Sequence, residues 1–162
     1  MILLQVLSIF RDRTSYEEKY MKITVATRIG SSLDRVWKMY TTPEDIVQWN
    51  AASDDWHTVR ATVDLRTGGE FCSRMEAKDG SSGFDFRGTY TEVMPKERLA
   101  YAFGDRTAEV DFIEDGNEVE VRITFDAEEE NPVDRQRDGW QAILENFRKY
   151  VLSGGNAYRR SM

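Results

Sequence analysis

The chain has one cysteine, Cys72, and one histidine, His57, among its 162 residues. A lone cysteine excludes an intrachain disulfide framework and any cysteine-based metal cluster. It fits a reducing setting, so a cytoplasmic location is the expectation. With no second histidine, and with Asp54 and Asp55 reading as loop solvation, no metal or other cofactor is expected. Positive charge is also in deficit: 22 Lys and Arg stand against 29 Asp and Glu, a net charge of −7. No basic patch with interleaved aromatics offsets this, which argues against a nucleic-acid partner and against bulk attraction to anionic membranes. Long hydrophobic runs are absent too. The opening "MILLQVLSIF" is too short to span a bilayer, so stable membrane insertion is not expected. No basic residue precedes that run, and "RDRTSYEEKY" follows it where an export signal would place small residues. Residues 1–20 therefore read as an extension that packs on the domain or swaps onto a partner chain in a homodimer, or that reflects an early start ahead of Met21.

Signatures of nucleophilic catalysis are missing as well. There is no G-x-S-x-G elbow, and Cys72 falls on the strand face opposite Phe71 and Met75. Gly68-Gly69 lacks a following G-K-[ST] and precedes a strand, so it reads as a tight turn and not a phosphate loop.

What is present is an ordinary globular composition, 40% hydrophobic and 31% charged, and a regular succession of patterns. "KITVATRI" alternates as a half-buried strand. "SSLDRVWKMY" and "TTPEDIVQW" read as two short helices, with Ser31 and Thr42 as caps and Pro43 at the first helical position. Strand patterns then run almost unbroken from "HTVRATVDL" through "EFCSRMEA", "FDFRGTYTEV", "LAYAF" and "AEVDFI" to "EVEVRITFDA", separated by turns such as "KDGSSG" and "EDGN". Clean alternation implies antiparallel strands with one wet face. The acidic run Glu128-Glu129-Glu130 reads as a solvated loop. The last element spans residues 131–153, with Asn131 as cap, Pro132 at the first position and Gly154 as stop. Trp140, Ile143, Leu144, Phe147 and Val151 share one helical face. About 20 residues at 1.5 Å each give roughly 30 Å, enough to cross a sheet. Inside this helix Gly139 costs about 1 kcal/mol relative to alanine. Its expected role is close approach to a neighbouring strand or loop, freeing Trp140 to turn inward.

The order is an α+β chain in which one long helix covers a single apolar sheet face. The segments "VWKMYTTPEDIVQW", "DLRTGGEF", "GTYTEVMPKERLAY" and "DGWQAILENFRKYV" resemble, in this order, the START-like (SRPBCC) superfamily. More narrowly they resemble its bacterial branch homologous to the activator of heat shock protein 90 ATPase. The resemblance covers residues 22 to 153 and implies a helix-grip fold: a curved antiparallel sheet of six to seven strands around the C-terminal helix, with two short helices after the first strand. The corresponding division is an extension over 1–20, a domain over 21–153 and a tail over 154–162. Relatives of this kind bind lipids, sterols, polyketides or plant hormones, and some are cyclases or dehydratases.

The candidate site follows from strand parity. Phe71, Phe86, Tyr90, Tyr101 and Phe112 fall on the expected concave face, joined by Trp140 and Phe147 from the helix. Ser73 and Met75 share that parity, as does His57 if alternation holds through its strand. A pocket of aromatic rings with a few polar handles suits a small hydrophobic molecule. The alternatives are a cyclase-like enzyme using His57 or Glu92 as acid or base, and a chaperone-type interaction module.

Overall fold

The computed structural model describes residues 21–155; the expected extension over 1–20 and the tail from residue 156 lie outside the described residues. Strand β1 (Lys22–Ile29) alternates strictly between exposed and buried positions, as its sequence does. Helices α1 (Leu33–Thr41) and α2 (Pro43–Trp49) follow. The cap of α1 is Ser32, one residue beyond the expected Ser31, and its hydroxyl accepts from the Arg35 N–H at 3.3 Å. Thr42 precedes α2, but its hydroxyl is turned back to donate to the Lys38 carbonyl at 2.6 Å.

Six further strands follow: β2 (Trp56–Val63), β3 (Glu70–Ala77), β4 (Gly83–Met94), β5 (Arg98–Phe103), β6 (Arg106–Asp115) and β7 (Glu118–Asp126). Together with β1 they make one seven-stranded antiparallel sheet in the order β1-β7-β6-β5-β4-β3-β2. Helix α3 (Val133–Leu152) closes the chain and packs against β1 and α2, in a helix-grip arrangement. It starts one residue later than expected, with Pro132 at the cap position. Glu128, expected to be merely solvated, organises the approach: its carboxylate accepts from the N–H groups of Glu130 and Asn131.

Two irregularities decide which side chains face inward. In β2 the register against β3 shifts between Thr58 and Arg60, and in β4 the register against β5 shifts between Tyr90 and Glu92. Each extra residue exchanges the inner and outer sets of its strand from that point on. Thr58 is therefore inward with Met75, while Ala61 and Val63 are inward beyond the bulge, opposite Ser73 and Phe71.

Glycine matters most where β4 crosses beneath an aromatic ring. A Cβ on Gly88 would lie 2.5 Å from the Phe71 ring and 2.9 Å from the Ala102 carbonyl oxygen. Gly139 differs from expectation, because a Cβ there meets nothing within 4 Å. Close approach is thus the work of Gly88 and not of Gly139.

The core fills the β1-β7-β6 half of the concave face. Ile23, Ile29, Val121, Phe125, Phe147 and Tyr150 are fully shielded there. The Tyr150 hydroxyl donates to the buried Asp45 carboxyl and ties α3 to the start of α2. Arg35 donates to the Val151 carbonyl at 3.1 Å, fastening α1 to the same helix end.

Candidate ligand cavity

On the other half of the sheet the concave face is not filled. A cavity of about 100 Å³ lies between β3, β4, β5, helix α2 and the middle of α3. Phe71, Phe86, Tyr90, Tyr101 and Trp140 supply its aromatic wall, and Ser73 is a polar point within it. Phe71 stands at the centre, with ring centroids 5.2 Å from Tyr90 and 4.9 Å from Tyr101. Trp140 is held flat against Phe125, 4.0 Å away and within 10° of parallel, so its outer edge forms the border with Phe86.

Beyond that border a second depression of about 390 Å³ opens toward solvent. It shares Asn50, Phe86, Trp140 and Ile143 with the inner cavity. Met75 lies here, with Trp56 and Phe84 on the rim. Arg106 also lies here, its guanidinium 4.7 Å from the centre of the Phe103 ring.

The sequence-predicted residues thus separate into groups. Phe71, Ser73, Phe86, Tyr90, Tyr101 and Trp140 line the inner cavity. Met75 belongs to the outer depression. Phe112 and Phe147 stand behind the wall, each packed edge-on against Tyr40. His57 is elsewhere: it pairs with Glu76 across the strands and borders a separate depression with Asp54 and Lys78. Uniform alternation placed it inward, and the β2 bulge reverses that. Glu92 is displaced in the same way, because it pairs with Ala100, whereas Tyr90 pairs with Tyr101 on the cavity side.

Tyr40, Trp49 and Asn50 line the cavity without having been expected there. In the sequence, Tyr40 reads as part of the apolar stripe of a short helix, and the helical period does not distinguish core from cavity wall. Tyr40 stacks on Trp49 at 5.2 Å. Asn50 reaches the site because its side chain donates to the Ser73 hydroxyl at 3.3 Å, while its carbonyl accepts from Thr58 at 2.6 Å.

The electrostatics are those of a neutral chamber. The cavity wall contains no Asp, Glu, His, Lys, Arg or Cys. Its titratable groups are three phenols, and burial raises all of them. Tyr90 is pushed up to about 12. Tyr40 is raised by burial and then by Tyr90, and Tyr101 by burial and then by Tyr40 and Tyr90, while Arg106 acts weakly in the opposite direction on Tyr101. Among the described residues none of these three hydroxyls has a hydrogen-bond partner. Leaving a buried hydroxyl unpaired costs about 1–3 kcal/mol. Among the described residues no His, Cys, Asp and Glu groups gather in a way that holds a metal ion, and no helix is long and apolar enough to cross a membrane.

Residues 31–152 match the model of the family described as activator of Hsp90 ATPase homolog 1-like protein. The solution structure of such a protein from Aeromonas hydrophila is 45% identical, with a TM-score of 0.79, covering 83% of this chain and 94% of that one. The solution structure of Chr148 from Cytophaga hutchinsonii is 39% identical, with a TM-score of 0.72 over the same shares of the two chains. The crystal structure of NE0264 from Nitrosomonas europaea shares the fold at 21% identity, with a TM-score of 0.71, covering 86% of this chain and 98% of that one. No curated protein matches the chain.

Proposed function

The chain belongs to the family of activator of Hsp90 ATPase homolog 1-like proteins, and on that premise we propose that it binds a small, mostly apolar molecule between the concave sheet and α3. The observation that carries this reading is the unfilled aromatic cavity itself, set in a fold whose other half is fully packed. Drug-sized ligands occupy pockets of about 300–1,000 Å³. At about 100 Å³ the inner cavity suits one substituted ring. A longer molecule extends past Phe86 and Trp140 into the outer depression. Affinity comes from apolar burial at about 25 cal/mol per Å², reduced by the entropy of association. The cytoplasm is the location this reading assigns, in keeping with the single free cysteine.

Binding is favoured over acid–base catalysis because His57 and Glu92 lie away from the cavity. The phenols that remain are pushed further from neutrality, whereas a general acid or base works best near the operating pH.

Native mass spectrometry of freshly purified protein, combined with NMR titration of small aromatic compounds, tests the reading. The expected result is a co-purified molecule, or saturable shifts centred on the Trp140 indole and the Phe86 and Phe71 amides. Absence of both would overturn it. Shifts confined to Trp56, Phe84 and the outer strands on adding a protein would instead favour the interaction module.

A further inference from the structure

The hydrogen-bonding pattern of the cavity wall restricts the ligand beyond its being apolar. Tyr40, Tyr90 and Tyr101 line one chamber, and their hydroxyls have no acceptor among the described residues. Ser73 adds a fourth hydroxyl: its oxygen accepts from Asn50, which leaves its own proton free to be donated. Tyr150 provides the internal contrast. It is the most completely buried of the four tyrosines, and its hydroxyl is matched to Asp45. Buried polar groups in folded proteins are paired as a rule, and those left over call for an explanation. Here the unpaired groups are gathered at one place, and all of them can donate.

From this arrangement we infer that the inner cavity takes a neutral molecule with an apolar ring and a carbonyl-type oxygen, held by the phenol hydroxyls of Tyr40, Tyr90 and Tyr101. This rests on the binding reading above and narrows its ligand class. Charge is excluded in both directions. A carboxylate would leave water with no cation on the wall, since Arg106 lies in the outer depression and donates to the Asp126 carbonyl at 3.0 Å. An ammonium group would find no carboxylate there. A hydrocarbon would fit the shape but leave every donor unpaired, the situation in which polar sites discriminate strongly.

Three probes of similar size separate the possibilities: ethylbenzene, acetophenone and benzoate, each titrated into the full chain and followed by NMR at the Trp140 indole. Acetophenone is expected to bind about tenfold more tightly than ethylbenzene, one good hydrogen bond's worth, with benzoate weakest. In the Tyr40→Phe/Tyr90→Phe/Tyr101→Phe variant, where only Ser73 is left to donate, the ratio falls several-fold, while the ligand-free protein melts no lower than the parent. If ethylbenzene equals acetophenone, if benzoate is the tightest, or if the ratio survives in the triple variant, the inference is overturned and the binding reading stands. If none of the three probes binds, the inference is overturned, and the binding reading falls with it where native mass spectrometry also finds no co-purified molecule. Should the triple variant not fold, the three-probe comparison on the parent protein decides alone.

Discussion

The two halves of the sheet lie beneath the same helix yet meet different fates. Along β1, β7 and β6 the inward side chains are mainly Val, Ile and Phe, with Thr27 and Ala108 among them, and α3 packs along β1. Along β5, β4 and β3 the inward set is mainly Tyr, Phe and Ser, the sheet curls away, and a cavity remains. Both halves have good alternation and both bury aromatic rings. The difference is that the first set is satisfied by its own neighbours, whereas the second retains hydroxyls without acceptors.

The largest effect that sharpens this contrast comes from truncating one ring in each half. Phe147 is fully shielded, so Phe147→Ala is expected to cost about 3–5 kcal/mol in chemical unfolding. Phe86 is only partly buried, so Phe86→Ala should cost less, about 1–2 kcal/mol, while abolishing probe binding. Equal losses would erase the distinction between packed and open halves.

A pair of tyrosines makes the comparison through a single oxygen atom. Tyr150→Phe removes the hydroxyl that holds Asp45 and should destabilise by about 1.5–3 kcal/mol. Tyr101→Phe removes a hydroxyl that holds nothing in the protein, so stability should stay within about 0.5 kcal/mol or rise. Urea unfolding of the two variants measures both.

Alkaline pH probes the same phenols without mutation. Tyr90 ionises at about 10 in the unfolded chain and at about 12 in the folded one. Below pH ~10 both states keep the proton and the stabilisation is intact. Between pH ~10 and ~12 only the unfolded state releases it, so stability must fall as pH rises through that window. The urea midpoint is expected to drop across this range, and to drop less in Tyr90→Phe.

The smallest effects concern glycine. Gly139→Ala meets open space and should stabilise by about 1 kcal/mol, visible as a raised melting temperature with binding retained. Gly88→Ala forces the Phe71 ring aside and should lower stability by about 1 kcal/mol or somewhat more, with altered probe binding. If the two glycines behave alike, the close approach at β4 is not what holds Phe71 in the wall.

Much of the fold was legible because it rests on local periodicity. The alternation of "KITVATRI" and "EVEVRITF" and the stripe from Trp140 to Val151 mark two strands and the long helix, and the turn residues separate the strands between them. The inward aromatic set was legible for the same reason, wherever alternation continued unbroken. His57 and Glu92 were misplaced because a bulge leaves no mark in the composition of a strand, yet it reverses every side chain beyond it. Tyr40 and Asn50 were missed because their place in the wall depends on how α1 packs against β6 and α2 folds back over β2, a matter of long-range packing.

By itself, then, the sequence determined that a single apolar sheet face must be covered by one long helix, and that no metal centre of cysteine or histidine clusters was available. Hydrophobic period and residue count are properties of the chain, and they need no partner to be expressed. Only the tertiary structure decided that one half of that face would close and the other stay open, with three tyrosines lining the space. Register, curl and helix placement are set by contacts between residues far apart in the chain, and strand periodicity alone does not encode them.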